Sequence, residues 1–395
     1  MSFAFVESNT TGTGPMFVRA ALERGLEVAF YARDANRYPF LREGHLGSVE
    51  VRQADTSDVE QLTRTCESAG VTGVCTASDV FAPLVASLAA RLGVPGPNPP
   101  AIIRARCKLQ QRVALAESPW VPLWSCPSTA VAAATFAARL GSPAVVKPCD
   151  GTGSLDVRLC ATSREVFEHF SELSARRSGC GHVLVEEYVA GRELSAELMD
   201  GHCFALTEKA LGPLPWFVEI GHIVSHEAMA ENPTLPEVAE TVARRLELTW
   251  GGAHLEFRLA ADGPILMEAN PRLAGDFIPE LVRLARDVDM IDLHVGRCAG
   301  EPPSGPVTSR FVQAAGIRFM EPELPGLIDV DRRESSGMRV VPYGEFPRHV
   351  AITHTYRDRL GYAMATGSAR DSVLVRLGDT PARVRYLAEG RGVTH

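Results

Sequence analysis

His254-Leu255-Glu256-Phe257-Arg258-Leu259, then residues 260–264, then Ile265-Leu266-Met267-Glu268-Ala269-Asn270-Pro271-Arg272 form the stretch on which the reading of this chain turns. Apolar and polar residues alternate in both arms around Asp262-Gly263, the period-two pattern of a β-hairpin. A turn centred near Asp262 sets Glu256 opposite Glu268 on one face, with Asn270 beside them. Like charges facing each other across a sheet repel, so the pair implies a cation between them. Magnesium takes hard oxygen ligands from one or two carboxylates and leaves positions for phosphate oxygens. Glu256, Glu268 and Asn270 are therefore candidate metal ligands, and Arg272 is a candidate to hold a transferred phosphoryl group or a developing oxyanion. A solvated hairpin whose glutamates pair with Arg258 or Arg283 also fits this stretch, so the rest of the chain decides.

Upstream, Ala144-Val145-Val146-Lys147-Pro148-Cys149-Asp150-Gly151-Thr152-Gly153-Ser154 reads as a β-branched strand ending in a lysine and a glycine-rich loop. Glycines let backbone amides approach phosphate oxygens, and the lysine offers them a point charge. The lysine precedes the glycines and no Gly-Lys-Ser/Thr follows, so this is not a Walker A loop. A plain turn after a strand is the alternative. Residues 183–189 are a second apolar strand, running through Ala190-Gly191-Arg192 into a third at 193–199. The backbone of Glu186, Glu187, Tyr188 and Val189 offers an amide and a carbonyl to adenine, and Glu193 offers a carboxylate to ribose hydroxyls. An ordinary hairpin with exposed glutamates is the alternative here, as a solvated surface lysine is for Lys108.

The N-terminus reads strand (3–6), glycine-containing turn (9–15), helix (16–24) and strand (28–31), a βαβ unit. Gly12 and Gly14 lack the third glycine of a dinucleotide fingerprint. A further strand at 73–76 precedes an amphipathic helix at 80–92, with Val80, Leu84, Val85, Leu88 and Leu92 on one face. Residues 1–100 thus form a doubly wound α/β domain. The Gly/Pro-rich run 93–100 breaks the chain. Helices at 101–116 and 130–140 and short β-branched runs predict an α+β domain over 101–300. A second break at 300–306 precedes strand-like runs at 310–316 and 339–342, in a β-rich portion covering 301–395.

A chain of 395 residues that is 45% hydrophobic has enough apolar material for two or three domains. A formal net charge of -8 disfavours a nonspecific grip on nucleic acid or an anionic membrane. No basic leader opens the sequence and no apolar run approaches the roughly 20 residues of a membrane span, so a cytoplasmic protein is expected. Nine cysteines at irregular spacing, without a Cys-x-x-Cys pair, point to reduced structural thiols. Cys149, beside the glycine loop, is the candidate reactive thiol, against the plainer account of a small buried side chain.

Taken in order, Lys108, Lys147 with its loop, Glu186 to Val189, Glu193, and Glu256 with Glu268-Ala269-Asn270-Pro271-Arg272 resemble the ATP-grasp superfamily, over residues 108–272. The resemblance implies an N-terminal pre-ATP-grasp domain, a central ATP cleft and a C-terminal β-rich portion packed on the large subdomain. The cleft would lie between a small lid subdomain, about 108–188, and a large subdomain from about 189. It assigns ATP to Lys108, Lys147, Gly151, Thr152, Gly153, Ser154, Glu186, Glu187, Tyr188, Val189 and Glu193, and Mg2+, with Mn2+ as a substitute, to Glu256, Glu268 and Asn270.

Within the superfamily the chain is most similar to the dipeptide-forming L-amino acid ligases, the alanine-anticapsin type included. That likeness rests on residues 7–14, on Phe217-Val218-Glu219-Ile220-Gly221-His222, on residues 270–276 and on Asp358-Arg359-Leu360-Gly361-Tyr362. By it, His222 and Arg272 face an acyl phosphate with Glu219 nearby and Gly275 meeting substrate, a structural or exposed histidine being the alternative for His222. Trp216 reads as an aromatic wall over a substrate side chain or as plain packing, and the Thr10–Gly14 turn as pointing at the carboxylate or as a plain strand-to-helix turn. The implied reaction joins a small-molecule carboxylate to an amine, both amino acids, with release of ADP and phosphate. A natural-product or siderophore ligase acting on other acids or amines remains the alternative. A regulatory nucleotide-binding protein without turnover fits less well, because both metal carboxylates are present. Homodimerisation is a family-level expectation.

Overall fold

The structure, a computed structural model, describes residues 2–10, 12–42, 46, 49–176, 182–335 and 337–387. Strand β1 (Ser2–Val6) buries Phe3 to Val6 without alternation, as a strand covered on both faces by helices must. Helix α1 (Gly14–Glu23) returns the chain to β2 (Glu27–Ala32). After β3 (Glu50–Gln53), α2 (Val59–Ser68) leads to β4 (Val71–Cys75) and α3 (Ala82–Leu92). The four strands form a parallel sheet in the order β3-β2-β1-β4. Strand β3 escaped the sequence reading because Glu50, Val51 and Gln53 are exposed on an edge and carry no apolar period. Helix α3 starts two residues later than expected, with proline in its first turn.

The helix expected over 101–116 is two helices, α4 (Pro99–Ala105) and α5 (Lys108–Ala114). The chain breaks between them because the Lys108 amide donates to the Cys149 carbonyl at 2.8 Å instead of to the preceding turn. Lys108 is thereby the first residue of α5, held against the glycine loop.

Strands β5 (Trp124–Ser125), β6 (Ala144–Pro148), β7 (Arg158–Cys160) and β8 (Val183–Glu187) make a small antiparallel sheet in the order β5-β8-β6-β7. Helices α6 (Ala130–Leu140) and α7 (Ser163–Arg176) cover one face of it. The chain then enters β9 (Arg192–Met199), β10 (His202–Leu211) and β11 (Glu219–Val224). Helices α8 (His226–Glu231) and α9 (Leu235–Arg245) precede the hairpin β12 (Gly252–Ala260) and β13 (Gly263–Asn270). Glu256 faces Glu268 in the register, as the alternation requires, and Gly263 takes φ +126° at the turn, a conformation that favours glycine.

Helices α10 (Ile278–Arg286) and α11 (Met290–Cys298) close this region, and β14 (Ala314–Met320) follows the Pro/Gly break. Strand β14 begins later than the expected 310–316 because Val312 donates its amide to Ala285 of α10. The last elements are β15 (Gly326–Val330), β16 (Met338–Pro342), β17 (Arg348–Val350), β18 (Gly361–Gly367), α12 (Arg370–Leu377) and β19 (Val384–Tyr386). Where the sequence predicts a C-terminal portion packed on the large subdomain, β14, β16 and β18 are hydrogen-bonded members of its sheet. That sheet has eight antiparallel strands in the order β13-β12-β9-β10-β11-β14-β18-β16. Among the described residues no helix is long and apolar enough to cross a membrane. The eight described cysteines are free thiols, and Cys149 is buried.

Candidate active site

Two cavities meet at the glycine loop. The first, about 720 Å³, lies between the small sheet and the β12–β13 end of the large one. Lys147 is the penultimate residue of β6 and Glu186 lies on the neighbouring β8, so the register sets their side chains diagonally on one face. Glu186 accepts from Arg112 Nε at 2.6 Å and sits 2.6 Å from Lys147 Nζ, with all three side chains buried. Its carboxylate is thus committed to an internal ion cluster at the wall of this cavity, which Glu186 also lines. Burial opposes ionisation, yet Arg112 and Lys147 outweigh it and push the Glu186 carboxyl down to about 2.

The stability this supplies is present above the ordinary value of 4.5 and is lost as pH falls toward about 2. Glu186→Gln should therefore cost on the order of 3 kcal/mol at pH 7. The difference from the parent in urea midpoint should shrink as pH is lowered through that window. An undiminished difference at pH 3 would show that the penalty is steric.

The remaining nucleotide candidates divide. Glu187 Oε1 accepts from the Leu123 amide at 2.9 Å, and its own amide donates to the Leu123 carbonyl. The Tyr188 amide is taken by the Pro143 carbonyl, and Val189 O accepts from Arg258 Nη1 at 3.0 Å. Tyr188 and Val189 line the cavity, and the Arg258 guanidinium lies over the Tyr188 and Phe217 rings at 5.3 and 5.1 Å. Glu193 also lines it, and Arg258 Nε stands 3.1 Å from its carboxylate. Lys108 is buried, not solvated; its Nζ donates to Glu268 Oε1 and to Gly151 O, both at 2.8 Å.

Glu256 is compensated differently. Its Oε1 accepts from His254 Nε2 at 3.0 Å and lies 3.1 Å from Lys209 Nζ. Lys209, on β10, also sits 2.5 Å from Glu219 and 3.6 Å from Glu193, with its side chain 1% exposed. Burial raises the Glu256 carboxyl, but Lys209 and His254 hold it well below the usual carboxylate range. Burial lowers His254, but Glu197 at 2.9 Å and Glu256 raise it to about 9. The sequence reading missed Lys209; its signal is a lone lysine among the otherwise uncharged residues of its face of β10. Neither Arg258 nor Arg283 pairs with the hairpin glutamates, since Arg258 binds Glu193 and Arg283 binds Glu280. Asn270 is buried opposite His254.

The second cavity, about 1300 Å³, opens between the N-terminal loops and the large sheet. Thr152 and Ser154 line both cavities, and Gly153 and Gly275 line this one. Arg272 enters it with Nε 3.6 Å from Asp79 Oδ1 and Nη1 bonded to the Leu273 carbonyl. His222 is buried, with Nε2 3.4 Å from Glu219 and 3.5 Å from Asp276. Arg359 donates to Asp276 at 2.8 Å and to the Glu219 carbonyl at 2.7 Å, joining the C-terminal strands to this wall. Thr10 lines the cavity with Ser8 and Asn9, while Thr11 lies outside the described residues. Trp216 does not wall either cavity; it stacks on His354 at 5.1 Å, and the Arg158 guanidinium lies over its ring at 5.5 Å. Its neighbour Phe217 faces the first cavity instead.

Residues 140–280 match a family described as the ATP-grasp domain. The uncharacterized protein y4rH of Sinorhizobium fredii is 31% identical over 385 residues, which is 92% of this chain and 78% of that protein. Carnosine synthase 1 of Gallus gallus is 27% identical over 244 residues, 56% of this chain but only 26% of the synthase. The solved L-amino acid ligase from Bacillus licheniformis shares the fold, with a TM-score of 0.83 at 18% identity, covering 98% of this chain and 99% of that one. With a relative matched along most of its length and the domain matched across the strands that build the cleft, the chain belongs to the ATP-grasp family.

Proposed function

We propose that this protein is an ATP-dependent carboxylate–amine ligase that joins two amino acids through an acyl phosphate, releasing ADP and phosphate. The observation that carries the reading is that the two cavities share the 152–154 loop, with the hairpin carboxylates in one and Arg272 in the other. A nucleotide in the first would thus direct its terminal phosphate toward an acid in the second. The L-amino acid ligase that shares the fold favours amino acids as the pair joined.

The donor set suits magnesium. Glu256 and Glu268 face each other, and the hydrogen bonds each accepts fall on Oε1, which leaves Oε2 of both to a hard cation. Magnesium bound there by Glu256, Glu268 and Asn270 would neutralise charge on the ATP phosphates. Lys108 and Lys147 stand beside that position to hold the same phosphates. A carboxylate is a poor acyl donor because oxide is a poor leaving group; phosphorylation replaces it with phosphate. The amine nitrogen then attacks the acyl carbon, and Arg272 holds the tetrahedral oxyanion. Glu219 and Asp276 keep His222 oriented at the same wall. The glycine loop, bordering both cavities, closes over them to exclude water from the acyl phosphate.

The test is phosphate release from ATP and magnesium over pairwise amino-acid mixtures, with mass spectrometry of products and chromatography of the nucleotides. ADP with a condensed dipeptide is the expected result. AMP would overturn the acyl-phosphate route, and ADP with another amide would place the substrates outside the amino acids.

A further inference from the structure

At a third cavity, which shares Ala77, Arg272 and Leu273 with the second, Cys75, His294 and Cys298 bring their polar atoms within 4.8 Å of one another. Cys75 ends β4 of the N-terminal sheet, while His294 and Cys298 lie four residues apart on one face of α11. Both thiols are buried, and the three side chains line this cavity, about 530 Å³, at the seam between these elements. Such a cluster suits either a thiophilic metal or thiol redox chemistry.

The imidazole decides between them. The Gly252 amide donates to His294 Nδ1 at 3.0 Å. An amide N–H only donates, so Nδ1 presents its lone pair and the ring proton resides on Nε2. A metal on Nε2 would need the opposite tautomer. With Nδ1 occupied, Nε2–H is the ring's remaining donor, and the Cys298 sulfur lies within 4.8 Å of an imidazole nitrogen. Cys75 beside it, together with His294 and the charge of Arg297, outweighs burial and lowers the Cys298 thiol. Burial, together with Cys298 itself, raises Cys75. Of the two sulfurs, Cys298, with His294 and Arg297 beside it, is the one whose environment favours a thiolate.

We propose that Cys75 and Cys298 are a peroxide-reactive dithiol that closes to a disulfide across this seam. The Cys298 thiolate attacks one oxygen of hydrogen peroxide; an S–O bond forms, the O–O bond breaks, and the departing hydroxide takes a proton from solvent. The Cys75 sulfur, losing its proton, then attacks the sulfenic sulfur; the S–S bond forms, the S–O bond breaks, and water leaves. Overall two thiols are oxidised by two electrons and one peroxide is reduced to two waters. The disulfide would fasten α11 to β4, whose following loop carries Asp79 to Arg272.

The test treats the full chain with a modest excess of hydrogen peroxide, blocks remaining thiols, and maps peptides by mass spectrometry. A Cys75–Cys298 linked peptide that disappears on reduction is expected. Oxidation confined to other cysteines, or sulfinic acid on Cys298 without the link, would overturn the proposal. In Cys75→Ser, peroxide should leave a Cys298 sulfenic acid that dimedone traps, and failure to label Cys298 in the folded variant would remove its role as attacker. Stoichiometric zinc retained by the purified wild-type chain would likewise overturn it in favour of a metal site.

Discussion

Glu268→Gln is expected to lower ligation turnover by roughly a hundredfold or more while leaving the fold intact. The side chain keeps its shape, and an amide oxygen still accepts from Lys108 Nζ, which stands 2.8 Å away in the parent. What disappears is the negative charge. That charge is one of the two hairpin carboxylates and the counter-ion of Lys108, so both the cation and the lysine would meet ATP phosphates with a poorer geometry. Nucleotide affinity should fall in the presence of magnesium and change little in its absence. The checks are steady-state phosphate release and nucleotide titrations with and without the metal, beside a thermal melt. Near-parental turnover in a folded variant would remove the metal role assigned to this hairpin.

Lys209→Met is expected to be destabilised by about 3–5 kcal/mol, the usual outcome when one partner of a buried ion cluster is removed. Its ammonium is the shared counter-charge of Glu193, Glu219 and Glu256. Methionine fills much the same volume, so the loss would be electrostatic and not a cavity effect. Urea unfolding measures it directly. Adding Glu193→Gln should recover part of the loss, because it removes one uncompensated carboxylate and the two sites are in contact. A midpoint equal to the parent's would mean that His254 and Arg258 neutralise the three acids without the lysine.

By itself the sequence determined the features that depend on local backbone period. Alternation around Asp262-Gly263 set Glu256 against Glu268, and the βαβ pattern of the first hundred residues named the N-terminal architecture. The glycines after Lys147 marked the loop that borders both cavities. Only the tertiary structure decided which charges meet. Besides the cation that the hairpin implied, Lys108 from α5 and Lys209 from β10 stand against its glutamates, which the hairpin's own sequence does not name. The strand order β12-β9-β10 gathers Glu256, Glu193 and Lys209, and the β6–β8 register gathers Lys147 and Glu186. The same holds for the continuation of the large sheet through β14, β18 and β16, and for Cys75 beside Cys298. Period is written in neighbouring residues because each side chain's face follows from its own backbone turn. Ion pairing, cavity walls and thiol neighbours depend instead on which distant strands lie side by side, and that is settled only when burial of the whole core selects one strand order.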